Sequence, residues 1–344
     1  MGLINSKFNI KTIEQNLLIA VEQNDIEKVK KILENANENN IILKINEIKN
    51  KYDNYLYFES IHKNNIEIVK LLFNYAIKNK LNKNNKYGEF PYLLAIENEN
   101  VEIIKLLNDY AIKNNIILNL NKKDKEGIYP LLYAIKKENI EIIKLMIDYS
   151  NKINNILEID DEDKYNPLLM IFNQKKINLD IAKLLIEYVD KNNIIINFNR
   201  KFEYGKYLFL LAVHSDDFEI VKLIIDYATK KNIILEINDY ENRYSNYPLL
   251  IAIHNDNFDI TKLLIDYADK NNIILELNRK NKYGNYPLLE AVSSKNIEII
   301  KLLIEYANKY KIILKVNEKN FEIFKISLFN YHVSNKDYEK YIHF

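Results

Sequence analysis

Residues 248–268 read Pro-Leu-Leu-Ile-Ala-Ile-His-Asn-Asp-Asn-Phe-Asp-Ile-Thr-Lys-Leu-Leu-Ile-Asp-Tyr-Ala, and this stretch decides the fold. Pro248 suits the first position of a helix, where its missing N–H would have no partner anyway. Leu249, Leu250, Ala252 and Ile253 fall on one side of that short helix. Asn257 is suited to cap a second helix, and Asp259 lies in its first turn, where the helix dipole favours an acid. Ile260, Leu263, Leu264 and Tyr267 recur at i, i+3, i+4 and i+7, the spacing of one helical face. On the other face Asp259 and Lys262 are placed to pair, as are Glu141 with Lys144 and Glu298 with Lys301. Asn271 to Asn278, with its Ile-Ile-Leu-x-Leu core, reads as an extended return leading to the turn at Tyr283-Gly284. One unit is therefore two antiparallel helices and a return.

Working outward, the same unit repeats. The five prolines, Pro91, Pro130, Pro167, Pro248 and Pro287, are separated by 39, 37, 81 and 39 residues, and Leu208 stands where the long gap should be divided. Gly88, Gly127, Gly205 and Gly284 each precede one of these positions by three residues. Phase-locking of the two strongest punctuating residues marks an internal repeat. Further units open near Asn16 and Leu56, which makes about eight. The fifth position is small in all but one: Ala20, Ser60, Ala95, Ala134, Ala212, Ala252 and Ala291, with Ile171 the exception. A small side chain there lets neighbouring helices approach closely. Tyrosine closes the second helix as Tyr75, Tyr110, Tyr149, Tyr188, Tyr227, Tyr267 and Tyr306, and at this spacing it reads as packing. One unit cannot bury enough apolar surface alone, so stacking must hold the units together as an all-α solenoid.

Composition narrows the functional classes. The 344 residues carry 49 basic and 48 acidic side chains, a net charge of +1, which gives no basic excess for nucleic acid. The chain has no cysteine, so disulfides and thiolate chemistry are excluded. No apolar run reaches the length of a membrane span, and Met1 to Ile10 lacks a secretory signal, so a cytoplasmic, monomeric protein is the expectation. The wealth of Asn, Lys, Ile and Tyr reads as the coding bias of an AT-rich genome rather than as chemistry. Acids repeat along the outer helical face and no glycine loop cradles phosphate, so neither an enzyme nor a cofactor is expected.

The turn Tyr283-Gly284-Asn285-Tyr286 with Pro287-Leu288-Leu289-Glu290-Ala291-Val292 resembles the Gly-x-Thr-Pro-Leu-His-x-Ala-Ala of ankyrin repeats, and Asn296 to Leu303 resembles that family's second helix. The resemblance covers about residues 12–320, with residues 1–11 left as a flexible leading segment and residues 321–344 as a degenerate capping tail. Thr12 to Gln15 reads as a capping box opening the first helix. The family's Thr is replaced by Phe90, Tyr129, Tyr207, Tyr247 and Tyr286, and its His by Leu93, Leu132, Leu250 and Leu289, which puts the usual bonds between neighbouring turns in question. The period of about 39 residues exceeds the family's roughly 33, and the excess falls after the second helix. The unit opening near Leu56 lacks it, spanning 35 residues. HEAT-like helical pairs are the architectural alternative, and the Gly-x-Tyr-Pro-Leu-Leu turn argues against them.

The resemblance implies a scaffold or adaptor that takes a protein or peptide along its concave side, where turn tips and first-helix ends lie. Carried onto this sequence, that face comprises His62, Lys63, Glu97, Asn98, Lys136, Lys137, Asn173, Gln174, His214, Ser215, His254, Asn255, Ser293 and Ser294, preceded by Glu22-Gln23. These pairs differ from unit to unit while the neighbouring apolar positions hardly change. His62, His214 and His254 occupy equivalent positions, but no third ligand accompanies them and no metal site is expected. Turn tyrosines Tyr52, Tyr87, Tyr204, Tyr244 and Tyr283 divide evenly between interface anchors and structural consensus. Met1-Gly2-Leu3-Ile4-Asn5-Ser6 fits the N-myristoylation pattern at Gly2. A single acyl chain would tether the adaptor to a membrane only weakly. Myristate-analogue labelling that survived Gly2→Ala would exclude it. A substrate-recruiting subunit of a degradation complex is a further alternative, for which the tail shows no recruitment box.

Overall fold

The computed structural model describes residues 2–79, 89–123, 126–159, 166–174, 176–315 and 342–343. The described residues form sixteen α-helices in eight consecutive pairs. The chain divides into two compact units, Met1–Ile159 and Asp160–Phe344. The first holds α1 (Gly2–Glu22), α2 (Ile26–Glu38), α3 (Leu56–His62), α4 (Ile66–Lys78), α5 (Glu89–Glu97), α6 (Val101–Lys113), α7 (Pro130–Lys136) and α8 (Ile140–Ile153). The second holds α9 (Pro167–Phe172), α10 (Leu179–Lys191), α11 (Leu208–His214), α12 (Phe218–Lys230), α13 (Pro248–His254), α14 (Phe258–Lys270), α15 (Pro287–Ser294) and α16 (Ile297–Tyr310). The architecture is all-α apart from a two-residue parallel pairing of β1 (Leu314–Lys315) with β2 (Ile342–His343). The remainder of the expected capping tail lies outside the described residues.

Each unit follows from its residues. Pro130, Pro167, Pro248 and Pro287 occupy the first turn of α7, α9, α13 and α15, as their lack of an N–H dictates. Every second helix opens on Asp or Asn: Asp25, Asn65, Asn100, Asn139, Asn178, Asp217, Asn257 and Asn296 each accept a backbone N–H three residues on. Asn40, Asn115, Asn154, Asn193, Asn232 and Asn272 follow these helices in the left-handed conformation, φ 52° to 56°. Asparagine tolerates that region better than other residues with a side chain. The next amide then closes the helix, as Ile273 N does on Ala268 O at 2.9 Å.

Packing shows where periodicity alone falls short. In α13 not one side but the whole run Pro248 to Ile253 is buried, because the helix packs against α11, α14 and α15. In α14 the buried face widens to include Thr261, Ile265 and Ala268, while Leu263 is only half-buried. The fifth-position residues are closed from solvent: Ala95, Ala134, Ala212, Ala252 and Ala291 have no exposed surface, and neither has Ser60. Two sequence expectations need correction. Helix α1 is continuous from Gly2 to Glu22, so Thr12 lies inside it and is not an N-cap, and the leading segment 1–11 is helical from Gly2 onward. No proline or glycine interrupts residues 3–22 to stop it. The outer-face pairs also differ, for Lys262 meets Asp266 at 3.0 Å rather than Asp259, and Glu141 meets Lys105 of the preceding pair at 3.2 Å. Lys70 with Glu67 and Lys105 with Glu102 do pair at i, i+3.

Candidate protein-interaction face

Two kinds of surface meet in each unit: the seams that join neighbouring repeats and the helix ends left open between them. The seams are built from side chains that repeat. Tyrosines closing the second helices reach back to the extended return of the preceding repeat, and four of them serve it twice. Tyr75 Oη donates to Ile41 O at 3.0 Å and accepts from Leu43 N at 3.0 Å. Tyr149 does the same with Ile116 O and Leu118 N, Tyr267 with Ile233 O and Leu235 N, and Tyr306 with Ile273 O and Leu275 N.

Asparagine closes the other edge of the return. Asn199 donates through Nδ2 to Ile234 O at 2.7 Å and accepts from Glu236 N at 3.0 Å. Asn121 clamps Ile156 and Glu158 in the same way, Asn238 clamps Ile274 and Glu276, and Asn278 clamps Ile313 and Lys315. These four returns are thus held by side chains of the preceding repeat. The N-cap asparagines add a third seam, donating to the interhelix turn of the preceding repeat: Asn65 to Asn24, Asn100 to Asn64, Asn257 to Asp216 and Asn296 to Asp256. These asparagines are structural hydrogen-bonding groups, a role that the compositional reading did not assign to them.

The tyrosine that replaces the turn threonine has its own role. Tyr207 is fully buried, and its one hydroxyl proton is shared between Glu236 O at 2.9 Å and Asp239 O at 2.8 Å. Tyr247 reaches Glu276 O and Arg279 O, and Tyr129 reaches Glu158 O. Burial pushes the Tyr207 and Tyr247 hydroxyls well above the usual phenol range, so they remain proton donors. A longer side chain spans the longer return, and the bond in question is made by different chemistry. Adjacent turn tips are also joined directly, Asn242 N to Tyr204 O at 2.8 Å and Lys282 N to Tyr244 O at 2.9 Å.

The helix ends contrast with this regularity. His62, Lys63, Glu97, Asn98, Lys136, Lys137, Asn173, His214, His254, Ser293 and Ser294 are exposed, and Gln174, Ser215 and Asn255 are half-buried. Some are tied: Asn98 donates to Ile61 O of the preceding repeat, and Ser293 and Ser294 donate within their own helix to Leu289 O and Ala291 O. Lys137 lies 3.6 Å from Glu99, His254 Nδ1 lies 3.4 Å from Glu290 Oε2, and the His62 ring stacks on Phe58. Among the described residues no group of three or more histidine and carboxylate side chains is placed to hold a metal ion, and no helix is long and apolar enough to cross a membrane. Gly2 opens α1, and its surroundings are outside the described residues, as is Tyr87.

Two features escaped sequence reasoning. One isoleucine in each of seven returns is exposed: Ile42, Ile117, Ile156, Ile195, Ile234, Ile274 and Ile313. Alternation along the return, exposed Ile234 then buried Leu235, was the available signal. The other is a groove of about 320 Å³ in the second unit, floored by Leu210, Leu211 and Ile251 and bordered by His214 and two turn tyrosines. Its formation depends on residues some 40 positions apart, which no local pattern reveals.

The sequence matches the family described as ankyrin repeats (3 copies) over residues 17–117, 108–197 and 209–315. The chain belongs to the ankyrin repeat family. Such repeats are generally protein–protein interaction modules. Among solved structures, it is similar to the ankyrin repeat domain of Bcl-3, a member of the IkappaB protein family, at 17% identity and a TM-score of 0.46 over 72% of this chain and 97% of that one. It is also similar to the ankyrin repeat protein EF0377, at 25% identity and a TM-score of 0.45 over 62% of this chain and 97% of that one. No curated protein matches the sequence closely enough to count as a relative.

Proposed function

We propose that this ankyrin repeat protein is an adaptor that captures another protein or peptide through the first-helix ends and turn tips of its units. The observation that carries this reading is the contrast within each repeat. Fifth-position alanines and closing tyrosines hardly vary, whereas the adjoining exposed pair runs from His62-Lys63 and Lys136-Lys137 to His254-Asn255 and Ser293-Ser294. Within the first unit the face comprises His62, Lys63, Glu97, Asn98, Lys136 and Lys137. Within the second it comprises Asn173, Gln174, His214, Ser215, His254, Asn255, Ser293 and Ser294. A partner meeting such a face finds polar groups of different character above an already packed floor, as specificity requires.

Two variants test the reading. Lys136 and Lys137 are replaced by Ala in one, and His214 and His254 in the other, and each is used to capture partners from the source cell. Loss of capture by either variant, with helicity and melting unchanged, is the expected result. Capture unchanged in both would remove these helix ends from the binding face.

A further inference from the structure

The groove in the second unit has a charge pattern that selects its occupant, and this inference rests on the adaptor reading. Leu210, Leu211 and Ile251 form an apolar floor, each less than 8% exposed. Tyr204, 67% exposed, and the half-buried Tyr244 stand over it. The Tyr244 ring is held in place, stacked on Tyr283 with centroids 5.6 Å apart and covered by the Arg243 guanidinium at 5.0 Å. An aromatic wall fixed before binding costs little entropy to use. The cavity of about 370 Å³ beside Asn24, Asn64 and Asn65 in the first unit is larger but mostly polar, with Ile66 alone contributing an aliphatic side chain.

Charge decides what enters. Glu241 is the only carboxylate lining the groove, and it is buried and already engaged by the backbone N–H groups of Arg243, Tyr244 and Asn246. Three amide dipoles offset its charge. Lys206 donates to the neutral Asn173 Oδ1 at 3.3 Å, and neither Lys206 nor Arg243 has an ion-pair partner among the described residues. His214 lies on the same rim. Two uncommitted cations therefore flank an apolar, aromatic-walled slot. An acidic segment entering the groove would find both along its lining, and charge-assisted bonds to Arg and Lys are the strong ones. We infer that this groove takes a short acidic peptide segment in which an apolar residue is flanked by Asp or Glu, the apolar side chain resting on the leucine–isoleucine floor and the carboxylates pairing with Arg243 and Lys206.

The test uses the full chain and two synthetic peptides read by fluorescence anisotropy. Both carry one central leucine, flanked by glutamates in the first and by lysines in the second. The wild type should bind the glutamate peptide at least about tenfold more tightly, the scale of one additional charge-assisted contact. The double variant Lys206→Glu, Arg243→Glu should reverse that preference, with its melting followed by circular dichroism. If the pair of changes unfolds the second unit, Arg243→Glu alone, at an exposed position, should abolish the preference. Equal binding of both peptides, preference for lysine, or no binding of either overturns the inference. So does glutamate-peptide binding that survives charge reversal, because it places the site elsewhere. None of these results bears on the capture experiment, which tests the adaptor reading separately.

Discussion

The seams between repeats and the open ends of the first helices share asparagine but little else, and they behave as opposites. At the seams each asparagine or tyrosine uses two bonding capacities on one stretch of backbone, as Asn238 does on Ile274 O and Glu276 N. At the helix ends a serine or asparagine bonds its own last turn or a nearby carbonyl, and histidines and lysines face outward. Regularity marks groups that pair the backbone of a neighbouring return, buried under the tyrosines and nearer solvent at the asparagines. Irregularity marks groups that, for the most part, face water. Stability lives on the first surface, and the proposed adaptor reading puts partner choice on the second.

The sharpest way to break this comparison is to remove one hydroxyl. Tyr267→Phe keeps the ring but deprives Leu235 N, in a residue 1% exposed, of its acceptor and Ile233 O of a donor. An unsatisfied buried backbone group costs about 1–3 kcal/mol, so a loss of about 2–3 kcal/mol is expected in urea unfolding of the full chain. An unchanged midpoint would mean that the tyrosine acts by packing alone, as its helical spacing suggested, and would erase the distinction between seam and surface.

How much of this was legible beforehand divides along the same line. Local rules were enough wherever a residue acts on its own helix. Pro248 at the helix start, Asn257 as cap and Ala252 at a closed contact were all readable, because capping and steric size operate within a few residues. Buried positions such as Ile251 and Ile265 were missed because they face a neighbouring repeat, whose place a single-helix pattern does not contain. The seams were missed for a similar reason. Asn199 and Glu236 lie 37 residues apart, and an abundant asparagine invites a compositional explanation. The tyrosines at the turn were noticed as departures from the family pattern, but Tyr207 Oη could be matched to Asp239 O only once the return was folded. Of the proposed interaction face, the varying pairs were read from the sequence, and most of them are exposed. The groove was not, since its floor comes from α11 and α13 and its wall from two turns.

The turn tip is where the two surfaces join, and two glycines measure how closely. Gly205 and Gly284 occupy equivalent positions with φ +71° and +82°, a region that a residue with a Cβ enters at a cost of about 1–2 kcal/mol. Their surroundings differ. A Cβ on Gly284 meets nothing within 4 Å, whereas on Gly205 it would lie 2.8 Å from Asn242 Oδ1 and 3.1 Å from the Asn242 backbone nitrogen. That nitrogen donates to Tyr204 O at 2.8 Å, the bond that ties one tip to the next. Gly284→Ala should therefore cost about 1 kcal/mol, from backbone strain alone. Gly205→Ala should cost about 2 kcal/mol, because the Asn242 side chain must also shift and its backbone nitrogen is crowded. Thermal melting of the two variants beside His254→Ala, expected within about 0.5 kcal/mol of wild type, ranks the three. Equal losses at the two glycines would show that the tips yield freely to one another. That would remove the rigidity on which the aromatic wall of Tyr204 and Tyr244 depends, so the same measurement that ranks the seams also reports on the groove.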